Sequence, residues 1–220
     1  TVALDASIEH GVERFVFAST GSVYGVQSGV MYETTTPEPI ILYARLKLRF
    51  EERLLNAKRR DFHPTVLRLA TCHGYSPRMR FDLLANRLVR DAFCTKKLLV
   101  ENGDQSLSLI HVEDAARAFL AVLNAHENLV GGEIFNVGDK EQNIQLNHLV
   151  NAVCAHLGEC EIEHAEGEAE LLNYVMNSSK IEKILDFHPQ WKLEQSILQV
   201  RELLQNDAFP DPYSLRFQNS

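Results

Sequence analysis

Short continuous apolar runs alternate along this chain with longer stretches in which apolar residues recur every three or four positions. The first pattern fits a buried strand and the second one face of a helix. The spacing predicts helices over 1–10, about 43–59, 80–93, 113–125, 145–157, 178–185 and 193–205. Between them it predicts strands over 14–19, 64–70, 98–100, 107–111, 133–137 and 160–164. Gly11 stands where the first helix should stop, and Glu113 and Asp114 place negative charge in the first turn of the helix over 113–125. Strands that alternate with helices need crossover connections, so the fold class is α/β with a parallel, doubly wound sheet. Asp207 to Ser220, with two prolines and few apolar residues, reads as a loose tail.

Composition narrows the function classes. With 45% hydrophobic and 24% charged residues the chain has the makeup of a packed globular protein. A net charge of -8 and a pI near 5.6 argue against nucleic-acid binding, which concentrates Lys and Arg. The basic run Lys58-Arg59-Arg60 falls at the end of a predicted helix, where cations complement the helix dipole without a partner. No apolar run approaches the roughly 20 residues of a membrane span, so a cytoplasmic location and no membrane partner are expected. Cys72, Cys94, Cys154 and Cys160 form no C-x-x-C pair, and none of the 9 histidines forms a His-x3-His pair. Reduced thiols and no metal site follow.

The candidate chemistry lies early in the chain. Tyr43 and Lys47 are four residues apart on a predicted helix and share a face, so phenol and ammonium can point into one cleft. A nearby cation favours phenolate and lowers the tyrosine pKa, as a general base requires. Surface helices use the same spacing, so context decides. The run Arg14-Phe15-Val16-Phe17-Ala18-Ser19-Thr20 reads as a buried strand ending in hydroxyl residues and a glycine turn, where ligands sit in open α/β sheets.

From Arg14 to Glu51, through Ser19-Thr20-Gly21-Ser22, Pro37, Pro39 and Tyr43-Ala44-Arg45-Leu46-Lys47, the chain resembles the extended short-chain dehydrogenase/reductases, the family of nucleotide-sugar epimerases and dehydratases. The likeness continues through Arg68-Leu69-Ala70-Thr71, Ser76 to Asp82, Leu109-Ile110-His111-Val112, Phe135-Asn136-Val137-Gly138 and Ser179-Lys180-Ile181. It implies NAD or NADP as cofactor and a nucleotide sugar as the small-molecule substrate. Tyr43 would be the general base or acid, with Lys47 lowering its pKa and binding the nicotinamide ribose. Thr20 would hold the same sugar hydroxyl. Ala18, Ser19, Leu69 and Ala70 would border the cofactor, and Thr71, Arg78, Arg80 and Asn86 the substrate. A homodimer through the helix over 43–59 is also implied.

Complete members open with a glycine-rich turn that binds the dinucleotide pyrophosphate, and this sequence has no Gly-x-Gly-x-x-Gly or Gly-x-x-Gly-x-x-Gly run. The expectation is a C-terminal portion, with roughly 100 residues of βα units preceding Thr1. Residues 1–70 would be half of the Rossmann domain, 71–206 the last strands plus a substrate lobe, and 207–220 the tail. Two departures bear on the reaction. Gly21-Ser22 stands where sugar dehydratases carry Asp-Glu, which favours an epimerase or ketoreductase. Leu107 and Leu172 stand where many members carry diphosphate-binding arginines, which suit that role through paired hydrogen bonds. A non-nucleotide carbonyl substrate, or a catalytically silent chain, therefore remain alternatives.

Overall fold

The computed structural model describes residues 2–165 and 174–218. In chain order it contains α1 (Val2–Glu9), β1 (Arg14–Thr20), a 3-10 turn (Gly21–Tyr24), β2 (Val30–Met31), α2 (Leu42–Asn56), β3 (His63–Leu69) and β4 (Thr71–His73). Next come α3 (Leu84–Cys94), β5 (Lys97–Glu101), β6 (Ser106–His111), α4 (Val112–Asn124), α5 (Glu127–Val130), β7 (Ile134–Val137) and β8 (Asn143–Gln145). The chain finishes with α6 (Leu146–Leu157), β9 (Glu161–Ala165), β10 (Val175–Met176), α7 (Ser179–Leu185), α8 (Leu193–Gln205) and a 3-10 turn (Leu215–Phe217).

The main sheet has the order β1-β3-β7 and is wholly parallel. Successive strand side chains point to opposite faces, so each strand feeds two cores. Val66 packs with Leu4 and Leu54 from α1 and α2, while Leu67 packs with Ala118 and Val122 from α4. A sheet covered on both faces explains why these strands read as continuous apolar runs rather than alternating ones. Register then positions the site. Thr20 pairs with Leu69 at the carboxyl ends of β1 and β3. Ser19-Thr20 and Leu69-Ala70-Thr71, remote in sequence, thereby lie side by side at one edge.

A third, helical core is built by α3, α6 and α8, with Leu88, Val89, Leu149, Val153, Ile197 and Val200 buried among β5 and β6 residues. Most expected elements fall within a residue or two of their predicted bounds, and the exceptions have local causes. The helix predicted over 80–93 begins only at Leu84, because residues 80–83 are held in a turn. Arg80 is ion-paired to Asp82, and the Asn86 side-chain amide donates to the Arg80 carbonyl at 3.0 Å. β8 runs antiparallel to β6, so the sheets are not uniformly parallel. β2 and β10 each contribute two residues and pair across the chain, a long-range bridge that local periodicity does not encode.

Residues 207–218 are not a loose tail. Asp207 adopts a left-handed backbone with φ of 53°, which turns the chain out of α8 and back over the helical core. Phe209 and Phe217 are buried there against Phe81. Leu172 lies outside the described residues. Among the described residues no helix is long and apolar enough to cross a membrane.

Candidate active site

The carboxyl edge of the main sheet forms one side of a cavity of about 690 Å³. Its wall on that side is Ser19, Thr20, Ser22, Leu69, Ala70 and Thr71, with Tyr43 from α2 beside them. The opposite wall brings Arg80, Asp82, Leu84 and Arg87 from the turn before α3 and its first turns, with Glu101, Gln105, Leu107 and Leu146. Thr20 ends β1 and caps the 3-10 turn, accepting from the Ser22 amide at 3.1 Å, which fixes its hydroxyl at the cavity wall. The ladder of β1 against β3 holds that strand end rigidly.

Tyr43, Lys47 and Glu51 occupy successive turns of one face of α2. The Lys47 ammonium donates to the Ala18 carbonyl at 2.6 Å and lies 5.5 Å from the Tyr43 ring centroid. The expected lowering of the Tyr43 pKa by Lys47 is not what this arrangement gives. Burial raises the Tyr43 phenol above its ordinary value, and the charge that opposes this is Arg80, with Cys72 adding to the rise. Lys47 is itself pulled down by burial, with Glu51 acting the other way. The Lys47 ammonium is instead engaged by the β1 backbone at the Ala18 carbonyl.

Beneath the cavity lies a buried polar network. Arg68 and Glu51 form an ion pair at 2.7 Å with side chains 3% and 2% exposed. The Ser19 hydroxyl donates to Glu51, Arg68 also donates to the Tyr24 hydroxyl at 3.1 Å, and Tyr24 donates to Asn136 at 2.7 Å. Each member of this network thereby finds a partner, as burial of charge demands. The network ties β1, α2, β3 and β7 together directly under Thr20 and Lys47.

Of the residues expected at a site, Ser19, Thr20, Tyr43, Leu69, Ala70, Thr71 and Arg80 share the cavity wall. Lys47 and Ala18 lie just behind it, joined to each other. Arg78 is exposed and outside the wall, so the expectation that it contacts substrate does not fit this geometry. Asn86 also fails as a contact, because it is 3% exposed and its side chain is spent on the Gly74 amide and the Arg80 carbonyl. Its place is taken by its neighbour Arg87, whose side chain has no hydrogen-bond or ion-pair partner among the described residues. The signal was available: Arg87 is one position from Asn86 on α3, and a helix step of 100° turns the next residue to another face. Tyr174 was also missed. It is 5% exposed, lines the cavity, and hydrogen bonds with Ser22, while burial pushes its phenol up to about 12.

The cavity pairs a phenol and a hydroxyl at a strand end with cations across the cleft, and known proteins share both the sequence and the fold. A Bacillus subtilis protein described as an uncharacterized UDP-glucose epimerase, YtcB, is 33% identical over 140 residues, which is 63% of this chain and 43% of that protein. A UDP-glucuronate 4-epimerase of Thermodesulfobacterium geofontis is 25% identical over 207 residues, 88% of this chain and 60% of that enzyme. Among solved structures, MoeE5 in complex with UDP-glucuronic acid and NAD superposes with a TM-score of 0.82 at 26% identity, covering 92% of this chain and 68% of that one. The chain thus spans 43% and 60% of the length of these two curated relatives. The NAD dependent epimerase/dehydratase family matches residues 1–138, a stretch that runs from α1 through β7 and contains Thr20, Tyr43, Lys47 and Arg80. By that match, over more than half of its length, this chain belongs to the NAD dependent epimerase/dehydratase family.

Proposed function

We propose that the intact protein is an NAD(P)-dependent epimerase or ketoreductase acting on a nucleotide-activated sugar. The observation that carries this is a cavity with Thr20 and Tyr43 on one wall and, on the other, Arg87, which has no side-chain partner among the described residues. UDP-sugars named with relatives and with MoeE5 support the same substrate class. A sugar ring would lie against Thr20 and Tyr43, and its diphosphate against Arg87 and Arg80. Arg87 supplies the charge-assisted hydrogen bonds that Leu107 cannot.

Ala18, Ser19, Leu69 and Ala70 present small or apolar groups beside the Lys47 ammonium, which suits a flat nicotinamide with a ribose hydroxyl at the cation. A nicotinamide held there would supply hydride acceptance and return. Thr20 holds the sugar hydroxyl in line, and Tyr43 Oη removes its proton as general base. The same phenol returns the proton when the carbonyl is reduced.

Packing at Gly21 supports an epimerase or ketoreductase over a dehydratase. A Cβ built at Gly21 would stand 2.5 Å from Met176 Sδ and 2.8 Å from Tyr174 Oη. A carboxylate there, as elimination of water would use, would require the Met176 and Tyr174 side chains to move aside. Substituting Tyr43→Phe in the full-length protein should lower turnover of UDP-glucose or UDP-glucuronate by about 10²- to 10⁴-fold while NAD binding persists. Unchanged turnover would sink the assignment. A second reading, a non-nucleotide carbonyl substrate, draws on the apolar Leu107 in the wall; it gains if no UDP-sugar alters thermal stability. The homodimer expectation draws support from Leu42 and Leu46, 70% and 55% exposed on the outer face of α2, and sedimentation of Leu46→Glu tests it.

A further inference from the structure

We propose that the segment from Asp207 to Phe217 is a strap that positions Arg80 in the cleft, acting through Phe81. Arg80, Phe81 and Asp82 form a turn outside any helix or strand, and successive side chains point opposite ways. Arg80 and Asp82 line the cavity, while Phe81 is fully buried on the far side. Its ring meets Phe209 edge-on at 5.1 Å and Phe217 edge-on at 5.7 Å, and those two meet each other at 5.5 Å. The Phe81 amide donates to the Phe217 carbonyl at 2.9 Å. Three mutually perpendicular rings fix orientation better than a sliding aliphatic contact does.

The strap is anchored apart from these rings. The Ala208 amide donates to the Leu203 carbonyl at 3.0 Å, just after the left-handed Asp207. Tyr213 lies under the Arg90 guanidinium at 4.2 Å and its hydroxyl donates to Asp91 at 3.1 Å. On the cavity side, Asn86 holds the Arg80 carbonyl. The turn is thus held from within by Asn86 and from without by Phe217. Among the groups acting on Tyr43, Arg80 favours the phenolate, Cys72 opposes it, and the Lys47 ammonium lies 5.5 Å from the ring. Displacing Arg80 removes the charge that favours ionisation of Tyr43. The strap is therefore linked to the chemistry without touching substrate, and Phe209 and Phe217 are positioning residues.

The substrate arm of the test rests on the nucleotide-sugar reading, and the exchange arm does not. In the full-length protein, Phe217→Ala should raise amide hydrogen exchange at residues 78–83 about tenfold while 63–69 stay protected. It should also move the alkaline rise of kcat/KM to higher pH and raise KM for UDP-glucuronate about fivefold with kcat at saturation within about twofold. Phe217→Leu, which keeps an apolar filler, should restore most of the protection and guards against a variant that fails to fold. Unchanged exchange at 78–83 and an unmoved pH profile, with only a lower melting temperature, would make Phe217 plain core packing and overturn the proposal. If the wild-type protein turns over no nucleotide sugar, the reading of the cleft fails; exchange at 78–83 then decides the strap alone, a rise upholding it and no change overturning it.

Discussion

Arg80 and Arg87 sit on the same wall yet are in different states. Arg80 holds Asp82 through its Nε at 2.7 Å, whereas Arg87 has no partner among the described residues. A diphosphate would have to compete with Asp82 for Arg80 but not for Arg87, so Arg87 should carry most of the binding. Arg87→Ala is expected to weaken UDP-sugar binding by about 1.5–3 kcal/mol, the range for hydrogen bonds to charged groups, with kcat little changed. Isothermal titration together with steady-state kinetics separates the two effects. Arg80 should act instead on the proton. Burial holds the Tyr43 phenol above its usual value and the Arg80 charge works against that rise. Arg80→Met removes the opposing charge, so the folded-state pKa climbs further. The rise of the pH–rate profile, set by ionisation of Tyr43, should then move to higher pH, and a shift to lower pH would contradict the placement of Arg80.

Elements are locked to one another by buried polar groups that periodicity treats as interruptions. Glu51 is the only carboxylate facing inward from the middle of α2, and Arg68 the only cation within β3; they meet as a pair shielded from water. Removing one member of such a pair leaves an uncompensated charge. Glu51→Gln should therefore cost about 3–5 kcal/mol in urea unfolding, and replacing both members with apolar residues should cost much less. A second lock joins β4 to α8. His73 is 2% exposed, contacts Ser196 at 2.8 Å and Gln142 at 2.7 Å, and burial with the nearby His111 brings its pKa down to about 4. Its folded pKa lies below the unfolded value of about 6.5, so its contribution is complete above that pH and drains away as pH falls toward 4. The ceiling of the loss is about 3 kcal/mol. Unfolding at pH 7.5 and 4.5 should reveal it, and His73→Gln should flatten the slope. Neither lock was legible in the sequence. The partners of Glu51 and His73 lie 17 and 69 or more residues away, beyond the reach of local periodicity.

At the scale of the whole chain, what was legible followed from local rules. The alternation of apolar runs and amphipathic stretches gave the parallel sheet, and a strand ending in Ser19-Thr20 before the Tyr43 helix marked the edge where the cavity opens. What was not legible depended on pairing between distant segments: the two-residue bridge of β2 with β10, and the return of Phe209 and Phe217 onto Phe81, which sparse apolar composition disguised as a tail. The same long-range closure sets the helical core of α3, α6 and α8 across the cleft from the sheet. One wall belongs to the sheet core through Thr20, Leu69 and Ala70, and the other to the helical core through Leu84, Leu107 and Leu146. A ligand that spans both walls binds only the folded arrangement and stabilises it by mass action. At 100 times its Kd the gain is about 2.7 kcal/mol. For a domain of this size that corresponds to a rise in melting temperature of roughly 5–11 °C. UDP-glucuronate or UDP-glucose should produce such a shift in the full-length protein, and Arg87→Ala should remove most of it. Free glucuronate lacks the diphosphate that would reach the arginine wall and should produce almost none. A shift with a simple carbonyl compound and none with either UDP-sugar would instead mean that Leu107 marks a cleft built for an uncharged substrate.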